Sequence, residues 1–315
     1  MLGSFFVVES PRWLFKKGKE TLAYAALLRS RSEEQAKLEL HEMGLVTTST
    51  HGTSSANRTR RGLKPRFDGS SPGTRIQFEL CAETMQACLV ARDGGADRIE
   101  LCSALSEGGL TPSHALIREA VRKSHLPVYP ILRPRGGNFV YTDSEFDLMA
   151  GDLRHSRQLG VSGFVIGLLT EAGSIDLERT KRLVALAGPL EVTFHRAFDC
   201  ARDLPQALED VISTGCERLL SSGGAPNVLE GAAMLAHLVA QAAGRLRVAV
   251  GGGLRLQSAG AVARTTRATA FHGSMRRPSA SAYACLPGES ACHIWSVDPE
   301  DIRQMIQALG DSQNA

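Results

Sequence analysis

Two short segments of the sequence place a glutamate two residues before a cysteine. Glu79 and Cys81 form the first pair, and Glu100 and Cys102 form the second. Side chains two residues apart lie on the same face of a strand, so each pair would present a carboxylate and a thiol together. Thiolates prefer soft ions such as Cu(I) and Zn(II). Two sulfurs suffice for Cu(I), whereas a structural zinc needs four ligands, so the pattern predicts Cys81 and Cys102 as Cu(I) ligands.

A second group of side chains suits acid–base chemistry and anion binding. Glu79, Glu100 and His195 are candidate catalytic residues, because carboxyl and imidazole groups commonly transfer protons in enzymes. Arginine side chains bind carboxylates and phosphates through paired hydrogen bonds, and the backbone N–H groups of glycine-rich loops bind phosphates. The predicted anion-binding residues are Arg133, Arg135, Arg196, Gly252, Gly253, Gly273 and Ser274.

The elements that must position these residues alternate along the chain. From residue 76 onward, eight short apolar, β-rich runs alternate with eight amphipathic helical stretches. This number and order of elements predict a (β/α)8 TIM-type barrel of the α/β class. A doubly wound open sheet is the alternative. Asp143 or Ser144 is predicted to cap the third helix. The predicted strands are Ile76–Cys81, Arg98–Cys102, Val128–Leu132, Gly163–Leu168, Glu191–Arg196, Arg218–Ser221, Leu246–Val250 and Ala270–Gly273.

A barrel would bring the candidate residues to one end of the molecule. Active sites of such barrels lie at the carboxyl ends of the strands, where Cys81 and Cys102 would end neighbouring strands about 4.8 Å apart. His272 also ends a predicted strand, but a lone histidine is more often structural than functional. Three functions remain open: a protein that handles Cu(I) through two thiols, a barrel enzyme acting on a small anionic or phosphorylated metabolite, and an interaction protein whose first 75 residues dock a membrane transporter.

Several longer strings resemble the CutC copper-homeostasis family. The most specific is Glu100-Leu-Cys-Ser-Ala-Leu-Ser-Glu-Gly-Gly-Leu-Thr-Pro112, and Arg133–Gly137, Thr193–Asp199, Ser222–Ala225 and Phe271–Ser274 follow in the order of the family. The resemblance extends from about residue 78 to the final helix. It implies a self-associating cytosolic (β/α)8 barrel linked to copper handling. It also implies copper binding by the cysteines that close the first two strands, which are Cys81 and Cys102 here.

Composition and charge exclude several classes of protein. The net charge is only +3, from 36 Lys+Arg and 33 Asp+Glu, which does not suit a dedicated nucleic-acid-binding protein. No apolar run approaches the length of about 18 residues that a membrane helix needs. Seven cysteines without a dense framework of spacings favour a reduced, cytoplasmic location.

The basic charge is concentrated before the barrel. Residues 1–75 contain 13 Lys+Arg and 7 Asp+Glu. Residues 1–50 are predicted to be a helical leader, and the string Glu9-Ser-Pro-Arg-Trp-Leu-Phe-Lys-Lys-Gly-Lys19 resembles a cytoplasmic loop of fungal sugar transporters of the major facilitator class. Residues 51–75 read as a disordered basic linker, in which the Arg58-Thr-Arg-Arg61 cluster leaves nuclear entry open. Residues 76–315 are predicted to form the barrel.

Overall fold

A computed structural model describes residues 75–280 and 293–312 of the chain. Strands and helices alternate through these residues, which confirms the predicted order of elements. Half of the boundaries of the eight predicted strands match the observed ones, and the others differ by one or two residues. The strands are β1 Gln77–Ala82, β2 Arg98–Leu101, β3 Val128–Pro130, β4 Gly163–Ile166, β5 Glu191–Phe194, β6 Arg218–Ser221, β7 Arg247–Gly251, β8 Ala270–Gly273, β9 Arg277–Ala280 and β10 His293–Ser296.

Eight helices accompany these strands. Each of the first seven follows one strand and returns the chain to the start of the next, which keeps the strands parallel. None of the helices in the described residues is both long enough and apolar enough to cross a membrane. The helices are α1 Met85–Asp93, α2 His114–Lys123, α3 Asp143–Arg157, α4 Leu177–Ala187, α5 Leu204–Thr214, α6 Ala232–Ala242, α7 Leu256–Thr266 and α8 Pro299–Asp311.

The first eight strands form a barrel. Their hydrogen-bonded order is β3-β2-β1-β8-β7-β6-β5-β4, and all pairs are parallel. The two edge strands meet at a parallel bridge between Ile131 and Val165, where the Leu132 N–H donates to the Val165 carbonyl at 2.8 Å. This contact closes the ring, so the α/β class and the (β/α)8 barrel are confirmed.

Side chains along each strand point alternately into the layer beneath the helices and into the inside of the barrel. In β1, Phe78 and Leu80 are fully buried in the apolar layer between strands and helices. Glu79 and Cys81 alternate with them and face the inside of the barrel, where Glu79 pairs with Arg98 of β2 and Cys81 pairs with Glu100. The outer layer supplies most of the hydrophobic stabilisation, which leaves room for charged side chains within the ring.

Helix α3 is capped by Thr142, one residue before the earlier of the two predicted caps. The Thr142 hydroxyl accepts a hydrogen bond from the Glu145 N–H, and the Glu145 carboxylate accepts one from the Thr142 N–H. The prediction of Asp143 or Ser144 as the cap is therefore wrong. The pattern Thr-x-x-Glu satisfies two backbone donors at once, which neither Asp143 nor Ser144 does here.

A hairpin follows the barrel and was absent from the predicted elements. Strands β9 and β10 pair antiparallel, with Pro278 opposite Trp295. Arg276, at the root of the hairpin, forms an ion pair with Glu83 at 2.9 Å and lies 4.6 Å from the centre of the Trp295 ring. These contacts hold the root of the hairpin beside the carboxyl end of β1.

The predicted leader and linker fall outside the described residues, apart from Arg75. The predicted helices in residues 1–50, the transporter resemblance and the basic cluster near residue 60 therefore stay predictions.

Candidate functional site

The two predicted thiol ligands lie side by side at the carboxyl ends of β1 and β2. The Sγ atoms of Cys81 and Cys102 are 3.7 Å apart, and both residues are buried. Hydrogen bonding to Cys102, together with burial, raises the pKa of the Cys81 thiol well above its usual value. Cys81 is therefore a thiol as it stands, and a bound metal ion would displace its proton.

Glu100 and His272 extend this pair into a cluster of potential metal ligands. Glu100 Oε1 accepts a hydrogen bond from the Cys81 thiol at 3.4 Å and lies 3.9 Å from His272 Nε2. One ligand atom from each of Cys81, Glu100 and His272 lies within 4.8 Å of the others. The second oxygen of Glu100 is buried without a hydrogen-bond partner among the described residues, and burial raises the pKa of this carboxyl.

Glu79 supports this cluster through its contact with His272. It is fully buried, accepts a hydrogen bond from Arg98 Nε at 2.5 Å and lies 2.8 Å from His272 Nδ1. Burial alone would raise the pKa of Glu79, but the cations of Arg218 and Arg98 outweigh it and hold the pKa far below its usual value. A carboxyl held ionised in this way supplies no proton, and it serves instead to orient His272.

The orientation of His272 leaves one ring nitrogen for a metal ion. Nδ1 is turned toward the Glu79 carboxylate, and Nε2 lies 3.9 Å from Glu100 Oε1. His272 and Cys81 offer ligand atoms within 4.8 Å of each other. Burial lowers the pKa of His272, but the carboxylates of Glu100 and Glu79 outweigh it and raise the pKa. A carboxylate behind a histidine is the usual outer contact of a metal-bound imidazole. Sequence reasoning noticed His272 only as a strand-end residue; the pairing of Glu79 with His272 across β1 and β8 is what reveals its partner.

The cluster opens into a cavity of about 490 Å³ at the carboxyl ends of the strands. Of the predicted site residues, Glu79, Cys102 and Arg135 do not line it. Glu79 and Cys102 lie behind its wall, whereas Arg135 lies on a loop outside it and forms an ion pair with Glu145 at 2.5 Å. The cavity lining includes the following predicted residues: Cys81, Glu100, Arg133, His195, Arg196, Gly252, Gly253, Gly273 and Ser274.

His195 follows β5 on the far side of the ring from the thiols, whereas Arg133 follows β3, which lies next to β2. The Ala197 N–H donates to His195 Nδ1 at 3.0 Å. The Arg133 guanidinium donates to the carbonyls of Glu107 at 2.6 Å and of Gly137 at 2.9 Å, and so holds two loops together. Burial, followed by the charge of Arg133, lowers the pKa of His195 to about 3, so its imidazole is neutral at physiological pH.

Arg196 and Gly252 form the rim between these two walls. Arg196 donates to Asp199 and to the Ser222 hydroxyl, each at 2.8 Å. Gly252 has φ +111°, and a Cβ atom there would lie 2.9 Å from the Arg196 Cζ atom. Glycine is therefore required for the close approach of this loop to the guanidinium group.

The two thiols, together with His272, suit a soft metal ion at which the two sulfurs form a bent angle. A metal–sulfur bond of about 2.3 Å would place two sulfurs about 4.6 Å apart at a linear centre and about 4.0 Å apart at a trigonal one. The observed Sγ–Sγ distance of 3.7 Å is too short for a linear centre and lies close to the values for bent ones, which reach about 3.8 Å at a tetrahedral angle. Two thiols with one imidazole nitrogen would suit Cu(I), and Cys81, Cys102 and His272 would supply them.

Comparison with known proteins assigns this barrel to a recognised group. The model of the CutC family matches residues 76–277. A family protein CutC of Chromobacterium violaceum is 50% identical over 205 residues, covering 65% of this chain and 83% of that protein. The human copper homeostasis protein cutC homolog is 41% identical over 222 residues, covering 70% of this chain and 81% of that protein. A crystal structure of CutC from Streptococcus agalactiae aligns with a TM-score of 0.60 at 31% identity, covering 63% of this chain and 98% of that one.

Proposed function

Because the chain belongs to the CutC family, we propose that it is a copper-homeostasis protein that binds Cu(I) at the carboxyl ends of β1 and β2. The human relative carries copper homeostasis in its name. The observation that carries the proposal is the buried pair of thiols, Cys81 and Cys102, with sulfurs 3.7 Å apart. Soft thiolate ligands favour Cu(I) over the hard cations of the cell.

Three ligands hold the ion in this proposal. Cys81 and Cys102 supply two thiolates, and His272 supplies Nε2 from the facing strand β8. Glu79 keeps the imidazole in position through Nδ1 at 2.8 Å, and Glu100 lies close enough to accept the proton that leaves the Cys81 thiol at 3.4 Å. The ion is cargo that enters and leaves through the cavity, which Cys81 lines.

The same proposal includes a reducing compartment and self-association. The five cysteines in the described residues are free thiols, and Cys81, Cys88, Cys102 and Cys216 among them are buried. Free thiols persist in the cytoplasm, where disulfides are reduced. Self-association follows only from the family resemblance, and sedimentation of the full chain tests it.

A Cu(I) titration tests the binding site. The full chain, under anaerobic conditions, competes with a chromogenic Cu(I) chelator, and the double variant Cys81→Ser/Cys102→Ser is compared with it. We expect one tightly held Cu(I) per chain and at least a 100-fold loss of affinity in the double variant. His272→Gln should lose at least tenfold, because even the loss of an outer contact to a metal ligand typically costs about 10–100-fold.

Cys200→Ser is the matched control, because Cys200 is an exposed free thiol and does not line the cavity. Its affinity for Cu(I) should equal that of the unchanged chain. Equal affinity in the Cys81→Ser/Cys102→Ser variant would overturn the proposed site.

A further inference from the structure

The wall of the cavity built by β3 and β5 carries hydrogen-bond donors that copper binding does not use. Strand β5 lies four strands from β1 in the eight-stranded ring, so His195 faces the cavity from the side opposite the thiols. Arg133 follows β3, and both side chains pack against the Phe139 ring, with Arg133 Cζ at 4.9 Å and the His195 ring centre at 5.2 Å. The two residues thus form one wall, called here the donor wall.

The hydrogen bonds of His195 determine where its proton lies. Nδ1 accepts a hydrogen bond from the Ala197 N–H, so Nδ1 carries no proton. A neutral imidazole then carries its proton on Nε2. That nitrogen is buried and has no hydrogen-bond partner among the described residues, in a side chain that is 4% exposed.

The ring of His195 is also fixed in place. A Cβ atom at Gly167 would lie 2.3 Å from the imidazole atoms Cε1 and Nδ1, so the ring occupies space that only a glycine leaves open. The Nε2–H group is therefore held in one direction, as a preorganised donor rather than as a base.

Arg133, like His195, is fixed by its hydrogen bonds and keeps one buried N–H group. Its terminal nitrogens are occupied by the carbonyls of Glu107, Gly109 and Gly137. Its Nε–H is buried and has no partner within the described part of the chain, and the residue is 4% exposed. A buried donor left without an acceptor costs about 1–3 kcal/mol. Two such donors on one cavity wall indicate that an acceptor belongs there.

The charge of the cavity specifies the class of acceptor. Of the lining arginines, Arg196, Arg276 and Arg277 are ion-paired with carboxylates. Arg133 and Arg255 have no carboxylate partner within the described residues and outnumber the one remaining carboxyl group, that of Glu100. An excess of guanidinium groups favours an anion over a neutral acceptor. A cavity of about 490 Å³ accommodates a small organic molecule beside the wall.

We propose that the donor wall binds the anionic oxygen group, carboxylate or phosphoryl, of a small organic acid, with His195 Nε2–H and Arg133 Nε–H as its buried donors and Arg196 at its rim. This site is separate from the proposed Cu(I) ligands and does not depend on copper binding. The predicted anion-binding function of Arg133 and Arg196 is thereby retained, and His195 is assigned as a donor to the ligand.

Calorimetric titration of the full chain tests the donor wall. Inorganic phosphate and malonate are the two probes, and the tighter of them identifies a phosphoryl or a carboxylate ligand. We expect saturable binding of at least one probe and at least a tenfold loss of affinity in His195→Phe. Arg122→Gln, which removes an exposed arginine of α2 outside the cavity, should bind like the unchanged chain.

A second measurement needs no variant. In a chain labelled with 15N-histidine, the Nε2–H resonance of His195 should be present at pH 7 and should shift on addition of the probe that binds. The Cys81→Ser/Cys102→Ser variant should retain the affinity for the probe, which separates this site from the copper site. Absence of binding by both probes, or equal affinity in His195→Phe, would overturn the proposal.

Discussion

His195 illustrates how tertiary contacts assign a role to a single residue. From its place after a β-rich run, it is a candidate acid–base group. In the folded barrel, the Ala197 N–H occupies Nδ1 and burial keeps the ring neutral. Both effects make the imidazole a donor through Nε2.

Burial of a neutral histidine predicts a specific loss of stability in acid. The pKa of His195 is about 3 in the fold against an ordinary value of 6.5. Between these values the unfolded chain binds a proton that the folded chain does not, so the free energy of unfolding decreases as the pH falls from 6.5 toward 3. His195→Phe should reduce this pH dependence, measured by urea unfolding at pH 7, 6, 5 and 4.

His237→Phe provides the matched comparison, since His237 is an exposed residue of α6. Its stability should follow the pH dependence of the unchanged chain. Parallel curves for His195→Phe and the unchanged chain would show that His195 is not buried as a neutral group.

At the scale of elements, six of the eight helices in the described residues begin after a polar side chain that accepts a hydrogen bond from the first turn. Helix α3 follows the loop that carries Arg133 and Arg135, and the Thr142 capping box sets its first turn. Glu145 of the same box forms the ion pair with Arg135. The cap therefore links the helix to the loop beside the cavity.

Removal of this cap should destabilise the barrel by a defined amount. Thr142→Ala leaves the Glu145 N–H without its side-chain acceptor and should lower the free energy of unfolding by about 1 kcal/mol. Ser144→Ala, at an exposed position two residues later, should change it by less than about 0.5 kcal/mol. Denaturant unfolding of both variants measures the difference, and equal effects would contradict the observed cap.

At the scale of the whole molecule, a buried network of charges joins the strands from inside the ring. Glu79 of β1 contacts Arg98 of β2, Arg218 of β6 and His272 of β8, and Arg98 also pairs with Glu191 of β5 at 2.7 Å. The Arg98 guanidinium lies 3.3 Å from the centre of the Tyr129 ring. Charges inside the barrel are stable only as long as each has its partner.

Removing the central carboxylate should therefore affect the whole fold. Glu79→Gln leaves Arg98 and Arg218 buried beside a neutral group, and we expect a loss of about 3–5 kcal/mol in the free energy of unfolding. Glu209→Gln removes the carboxylate of an ion pair with Arg245 at the surface and should have little effect, because water screens that pair. Similar losses in the two variants would show that the network does not support the barrel.

Much of the fold was predictable because it depends on local patterns in the sequence. The alternation of apolar strands with amphipathic helices, and the two Glu-x-Cys pairs at strand ends, led to the barrel and to the thiol pair. The hairpin of β9 and β10 was not predictable, because no such periodicity marks its strands; its root depends instead on the contact of Arg276 with Glu83.

The sequence by itself determined the barrel, the family and the proximity of Cys81 to Cys102, because strand order and the two-residue period place those thiols on neighbouring strands. Only the tertiary structure decided the roles of the charged residues. Arg135 lies outside the cavity and forms an ion pair with Glu145, whereas Glu79 is the partner of His272. These roles depend on contacts between strands up to 193 residues apart in the chain, and on burial, which sets the charge of each group; neither is encoded in a local pattern.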